Sequence, residues 1–128
     1  MDYTITPSND GMFIILKVKG NITRKTALQM NLEAHALGRQ LNIRRYFVDM
    51  TESKNTDKPL EDYELANSDM RQTEGIDKQA WVAALVRPDD PSHNFMEVVS
   101  KNAGLHLKLF TDPDEAMRYL KETVPPVR

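Results

Sequence analysis

Over the first twenty residues apolar and polar positions alternate. Tyr3 and Ile5 stand among Thr4 and Thr6, the turn formers PSNDG follow, and an aromatic and β-branched run covers residues 12–18. A period of two, a turn and a second run predict a β-hairpin, ended by Gly20 and Asn21. From Thr23 the period lengthens. Ala27, Met30, Ala34, Leu37 and Leu41 recur every three or four residues, and Leu28 and Leu32 widen the stripe. The pattern predicts a helix lying on a sheet, with Thr23 as its N-cap. Gly38 falls inside that helix, where a missing side chain permits close approach to a neighbour.

Residues 45–50 contain the consecutive apolar trio Tyr46, Phe47 and Val48, the signature of a strand covered on both faces. Residues 51–58 are polar and without period, which predicts a loop. Pro59 suits the first turn of a helix carrying Leu60, Tyr63, Ala66 and Met70, closed by Gly75. Residues 80–86 are continuously apolar between Lys78-Gln79 and RPDDP, and their brevity, two valines and Trp81 favour a buried strand. Residues 92–103 read as a helix with Phe95, Val98 and Val99 inward and Gly104 as its stop. A last strand covers His106 to Phe110. Asp112 then caps a final helix, with Pro113 at its first position, Asp114 and Glu115 in an acidic first turn, and Ala116, Met117 and Leu120 inward.

The predicted order is β-β-α-β-α-β-α-β-α. It describes an α/β fold with a single-layer mixed five-stranded sheet and four helices, the first strand antiparallel at or near an edge. One domain over residues 1–123 and a tail, VPPVR, over 124–128 account for the chain. At 128 residues, folding buries roughly 65 to 70% of the unfolded surface, enough for one core without staples.

Charge and composition narrow the partners. Seventeen Lys and Arg face 19 Asp and Glu, a formal charge of -2, with the signs interspersed, so there is no electrostatic footprint for nucleic acid or an anionic membrane. Cysteine is absent, which removes disulfides, thiolate nucleophiles and cysteine-ligated zinc and fits a reducing cytoplasm. The N-terminus has no basic and apolar leader pattern, and residues 80–86 are far too short to span a membrane.

The segments KGNIT, YFVDMT, WVAALV and above all LKLFTDPDEAMRYL resemble, in order and spacing, the SpoIIAA-like proteins related to the STAS domain. The resemblance covers nearly the whole chain. It implies a non-catalytic regulatory or binding module, with better-known members switched by phosphorylation of a serine just before the second helix. The Asp-Ser-Ser-Gly sequence those members carry there is absent; the longer TESKNTDKPLEDY connection puts Thr51 and Ser53 in the general region as phosphorylation candidates. The fold analogy extends to lipid-binding SEC14-like domains, as an analogy of fold only.

Asp49 is placed where a central strand ends, the region in which open α/β sheets bind ligands. It reads either as a ligand contact or as an acceptor for loop amides. Thr51 and Ser53 read as phosphate acceptors or as solvated hydroxyls. Arg87, Asp89, Asp90 and His93 follow the neighbouring strand, and the acids and histidine would form with Asp49 a metal or acid/base cluster, or else a turn and helix start. Met12, Met30, Met50, Met70, Met96 and Met117 pack the core or line an adaptable apolar groove. His35 and His106 lack companions. No phosphate loop, nucleophile elbow or helix-borne metal pair occurs.

The sequence therefore predicts a cytoplasmic, homodimeric module with no cofactor and no resident metal. It would bind a protein partner or a small apolar or anionic molecule, without nucleic acid and without membrane insertion. The contact surface would be a crest of residues 49–55, 87–93 and the start of the second helix. The alternative is a small hydrolase or metal-dependent enzyme using Asp49, Asp89, Asp90 and His93.

Overall fold

The computed structural model describes residues 2–123; the predicted tail lies outside them. Five strands form one mixed sheet in the order β1-β2-β3-β4-β5: β1 (Asp2–Pro7), β2 (Ile14–Ile22), β3 (Arg45–Asn55), β4 (Trp81–Leu85) and β5 (His106–Phe110). β1 is antiparallel to β2 at one edge, and the remaining pairs are parallel. Four α-helices, α1 (Arg24–Leu41), α2 (Pro59–Glu64), α3 (Asn94–Asn102) and α4 (Pro113–Arg118), fill the order read from the sequence.

Three crossovers run in one direction across the sheet, and a common hand puts their helices on one face. On that face Leu16, Val18, Val48, Met50 and Ala84 meet Ala27 and Met30 of α1, Leu65 beyond α2 and Met96 of α3. On the opposite face Phe13, Phe47, Ala83 and Leu85 pack against Ala116 and Leu120. β3 and β4 are adjacent inner strands, with Tyr46 opposite Val82 and Val48 opposite Ala84.

Thr23 caps α1 through a reciprocal box with Thr26, and Asn42, in the left-handed region at φ 58, closes it, as an amide side chain permits. Gly38 makes the predicted close approach: a Cβ there would overlap Tyr46 Oη and stand 2.7 Å from the Ile43 carbonyl oxygen.

Several expectations are corrected. Residues 51–55 are strand, not loop. Between Lys17 opposite Asp49 and Lys19 opposite Glu52, β3 spends one more residue than β2. This β-bulge reverses the in/out parity of β3, which hid the strand from a period-two reading. β2 likewise continues past Gly20 to Ile22. Leu60 and Tyr63 point outward, 67% and 49% exposed, while Asp62, Leu65 and Ala66 are buried. A π-helical turn over Leu65–Met70 follows α2 directly, and its wider turn shifts the phase of the stripe. Phe95 and Val98 are also outward; Val99 and Ser100 are the buried positions of α3.

Candidate functional site

The parity change at the bulge divides the expected site between the two faces of the sheet. Asp49 precedes it and shares the face of Phe47. Its Oδ1 accepts both the backbone N–H of Thr51 at 3.0 Å and the Thr51 hydroxyl at 2.7 Å. The extra residue leaves an amide outside the ladder, and Asp49 satisfies it. Both side chains are thus committed to the bulge. Ser53 follows it and turns to the helix-covered face, 5% exposed, donating its hydroxyl to the Met50 carbonyl at 3.0 Å. The hydroxyl read as a loop phosphoacceptor is a buried strand residue.

The loop after β4 leans on that end of β3. The buried Asp90 accepts the Ser92 amide at 3.0 Å, a bond that lowers its pKa despite burial. Ser92 Oγ in turn accepts the Asn55 amide at 3.1 Å. His93 is 2% exposed. Its Nε2 stands 3.4 Å from the Ser53 carbonyl and 3.7 Å from Asp90 Oδ2. Both neighbours are acceptors, so the proton belongs on Nε2. Burial lowers the His93 pKa, with the Ser53 carbonyl, Asp90 and Asp62 opposing.

Arg87 and Asp89 stay outside this group. They form an exposed ion pair at 3.4 Å, the kind that contributes little. Of the expected acid/histidine cluster, only Asp90 and His93 meet. Asp49 lies on the other face, and among the described residues no group of three or more His, Asp and Glu is placed to hold a metal ion.

Beneath the crest, between the sheet and α1–α3, lies a feature that the sequence reading did not locate. A cavity of about 120 Å³ extends from Asp77 and Ala80, before β4, to Asn55 at the end of β3 and Asp62 beyond it. Its wall is mainly apolar, with Leu16, Val48, Leu65, Ala84, Leu107 and Leu109 among it. Met30, Met50, Met70 and Met96 also line it, so the groove reading applies to four of the six methionines. Unbranched thioether chains reshape readily around an occupant.

Polar groups gather at the two ends. Toward the crest, Asp62 is 4% exposed and its Oδ1 accepts Asn55 Nδ2 at 2.9 Å. Burial raises its pKa, and burial followed by the nearness of Asp62 raises that of Asp57. At the other end His35, 2% exposed, accepts the Asp77 amide through Nδ1 at 2.8 Å and stacks on Tyr46 with ring centroids 4.6 Å apart. Burial pulls its pKa down to about 4 and pushes that of Tyr46 up to about 12. Asp77 receives Arg44 Nη2 at 2.6 Å and Nε at 2.7 Å, which holds its carboxyl below the ordinary range.

Asp62 and His35 are among the polar wall groups that sequence reasoning missed, with Asp57 and Asp77. Asp62 lies between Leu60 and Tyr63, the positions the sequence pattern places inward, and is not itself on that pattern. His35 was read as companionless, although its place on the stripe between Ala34 and Leu37 was a usable signal. His106 does have a companion: its ring stacks on Trp81 with centroids 4.1 Å apart.

No family model matches this chain, and no curated protein matches it. Among solved structures it is similar to the crystal structure of an uncharacterized protein from the DUF3478 family with a SpoIIAA-like fold, from Shewanella loihica PV-4. The likeness covers 93% of this chain and 92% of that one, with 19% identity and a TM-score of 0.54. The SpoIIAA-like fold read from the sequence is therefore the fold of this protein. Among the described residues no helix is long and apolar enough to cross a membrane.

Proposed function

We propose that this SpoIIAA-like domain is a non-catalytic binding module whose ligand is a small apolar molecule held between the sheet and helices α1–α3. The cavity of about 120 Å³ carries this reading. Interiors are normally packed to crystal density, and an apolar void of this order takes up small hydrophobic guests. Four methionines in its wall and a π-helical turn contributing Leu65 and Met70 add adaptable boundaries; such turns are frequent at functional sites. Asn55, Asp62 and His93 close the crest end of the cavity beneath the surface.

Titration with benzene, followed in ¹H–¹⁵N spectra, tests the reading. The amides of Val48, Ala84 and Met96 should shift. Ala84 is fully buried in the wall, so Ala84→Val fills part of the space and should abolish the response while the protein stays folded. A wild-type spectrum unmoved by benzene would end this proposal.

The outward Leu60, Tyr63, Phe95 and Val98 on the neighbouring helices α2 and α3 favour a second reading, a surface for a protein partner or a second copy of this chain. Sedimentation of wild type and Leu60→Glu over a range of concentrations tests self-association. The proposal of a homodimer through this patch requires a dimer that Leu60→Glu dissociates.

A further inference from the structure

The charges on the cavity wall are one-sided, and that selects among ligands. The described wall residues include Asp57, Asp62 and Asp77 and the histidines His35, His93 and His106, with no lysine or arginine. Asp77 has its counter-ion in Arg44. Asp62 has none. Its Oδ1 is engaged by Asn55, but Oδ2 accepts no hydrogen bond from a described residue, although the side chain is almost wholly buried. In a side chain this buried, a carboxylate oxygen that meets no protein donor gains from a ligand that supplies one. His93, kept neutral near pH 7 by burial, adds no positive charge.

The far end is built in the opposite sense. His35 Nδ1 accepts the Asp77 amide, so its proton sits on Nε2, which donates to no described residue. The cavity thus carries an acceptor toward the crest and a donor at depth that no described residue engages, joined by apolar wall.

We propose, resting on the reading of this cavity as a ligand site, that it selects a slender apolar molecule whose head donates hydrogen bonds, a primary amine or a hydroxyl, to Asp62 Oδ2, and that it rejects carboxylates and phosphates. An anionic head at the crest end would be desolvated beside Asp57 and Asp62 with no lysine or arginine among the described wall residues to offset it. An ammonium meets Asp62 as its counter-ion, and a hydroxyl donates to it.

Hexylamine, hexanol and hexanoate share one apolar body and differ in the head, so binding of the three at pH 7, measured by calorimetry and by shifts of the Ala84 and Met96 amides, tests the inference. Hexylamine and hexanol are expected to bind, hexylamine about tenfold or more tighter than hexanoate, a difference of about 1.4 kcal/mol. Asp62→Asn should cut that ratio about tenfold. In the wild-type protein, hexylamine should lower the pKa of the Asp62 carboxyl followed by ¹³C resonance, a readout independent of whether the variant folds. Hexanoate binding as tightly as hexylamine, or an Asp62 titration unmoved by bound hexylamine, would overturn it. If benzene enters but none of the three does, this inference fails and the cavity reading stands; if benzene also stays out, both fail.

Discussion

Asp77 and His35 are joined through the backbone: the Asp77 N–H donates to His35 Nδ1 at 2.8 Å, while the Asp77 carboxylate grips Arg44. One residue thereby fixes the tautomer of a buried histidine and anchors the strand that enters the sheet beside it. The imidazole is held neutral: burial keeps its pKa at about 4, against an ordinary 6.5.

A pH dependence of stability follows from that depressed value. The unfolded chain takes up a proton on His35 below pH 6.5, and the folded chain does so only near pH 4. Protons therefore favour unfolding across this window: stability contributed by neutral His35 is present above pH 6.5 and is lost as pH falls toward 4. The full loss is about 3 kcal/mol. Asp57 and Asp62, raised above their ordinary range, act in the opposite sense, so the comparison is with a variant. His35→Asn keeps an acceptor for the Asp77 amide, and its urea-denaturation stability should be flatter from pH 6.5 to 4.

Gly38→Ala should destabilise the fold by about 1–3 kcal/mol through overpacking. Alanine ordinarily stabilises a helix interior by about 1 kcal/mol relative to glycine. The reversed sign comes from Tyr46 Oη and the Ile43 carbonyl, which occupy the space a Cβ needs. Thermal denaturation of Gly38→Ala, and of Gly38→Ala with Tyr46→Phe, checks this; the double variant should regain part of the loss.

Asp49→Ala should cost about 1–2 kcal/mol, the penalty of leaving the Thr51 amide and hydroxyl without their shared acceptor. Asp49→Asn retains a carbonyl oxygen in that position and should cost less. Neither is expected to change benzene binding in the cavity, because Asp49 faces the other side of the sheet. Chemical denaturation and the spectral titration, run on the same samples, separate this role from ligand contact.

Glu97 Oε2 accepts the Leu109 amide at 2.7 Å. The Phe110 carbonyl bonds to Val86 across the ladder, so the amide one residue earlier points off the sheet edge. A carboxylate placed there blunts an edge strand. Glu97→Ala should raise self-association at high concentration, seen as a concentration-dependent rise in light scattering, whereas Glu97→Gln, which keeps an acceptor oxygen, should scatter nearly as the wild type does.

The order of elements, the antiparallel edge, the inner pair β3 and β4, the Thr23 cap and the close approach at Gly38 were legible because each rests on local chemistry: side-chain period, capping hydroxyls and turn residues act over a few positions. The errors fall where local period is interrupted. One extra residue in β3 turned Ser53 and Asn55 inward and made a strand look like a loop. On the second helix the expected Ala66 is buried, but its buried companions are Asp62 and Leu65, while Leu60 and Tyr63 face outward ahead of the π-helical turn. On α3 the expected Val99 is buried, but its companions on the face against the sheet are Met96 and Ser100 rather than the apolar Phe95 and Val98.

The sequence alone determined a SpoIIAA-like α/β sheet, because periodicity and caps are properties of neighbouring residues and survive without the fold. Tertiary structure decided which residues meet at the site. Asp49 and Ser53 are separated by the bulge, while Asp62 and His35, 27 positions apart in number, are brought to one cavity by the packing of α1 and α2 on the same face. Whether a polar atom is satisfied depends on groups distant in the chain, and no local pattern carries that information.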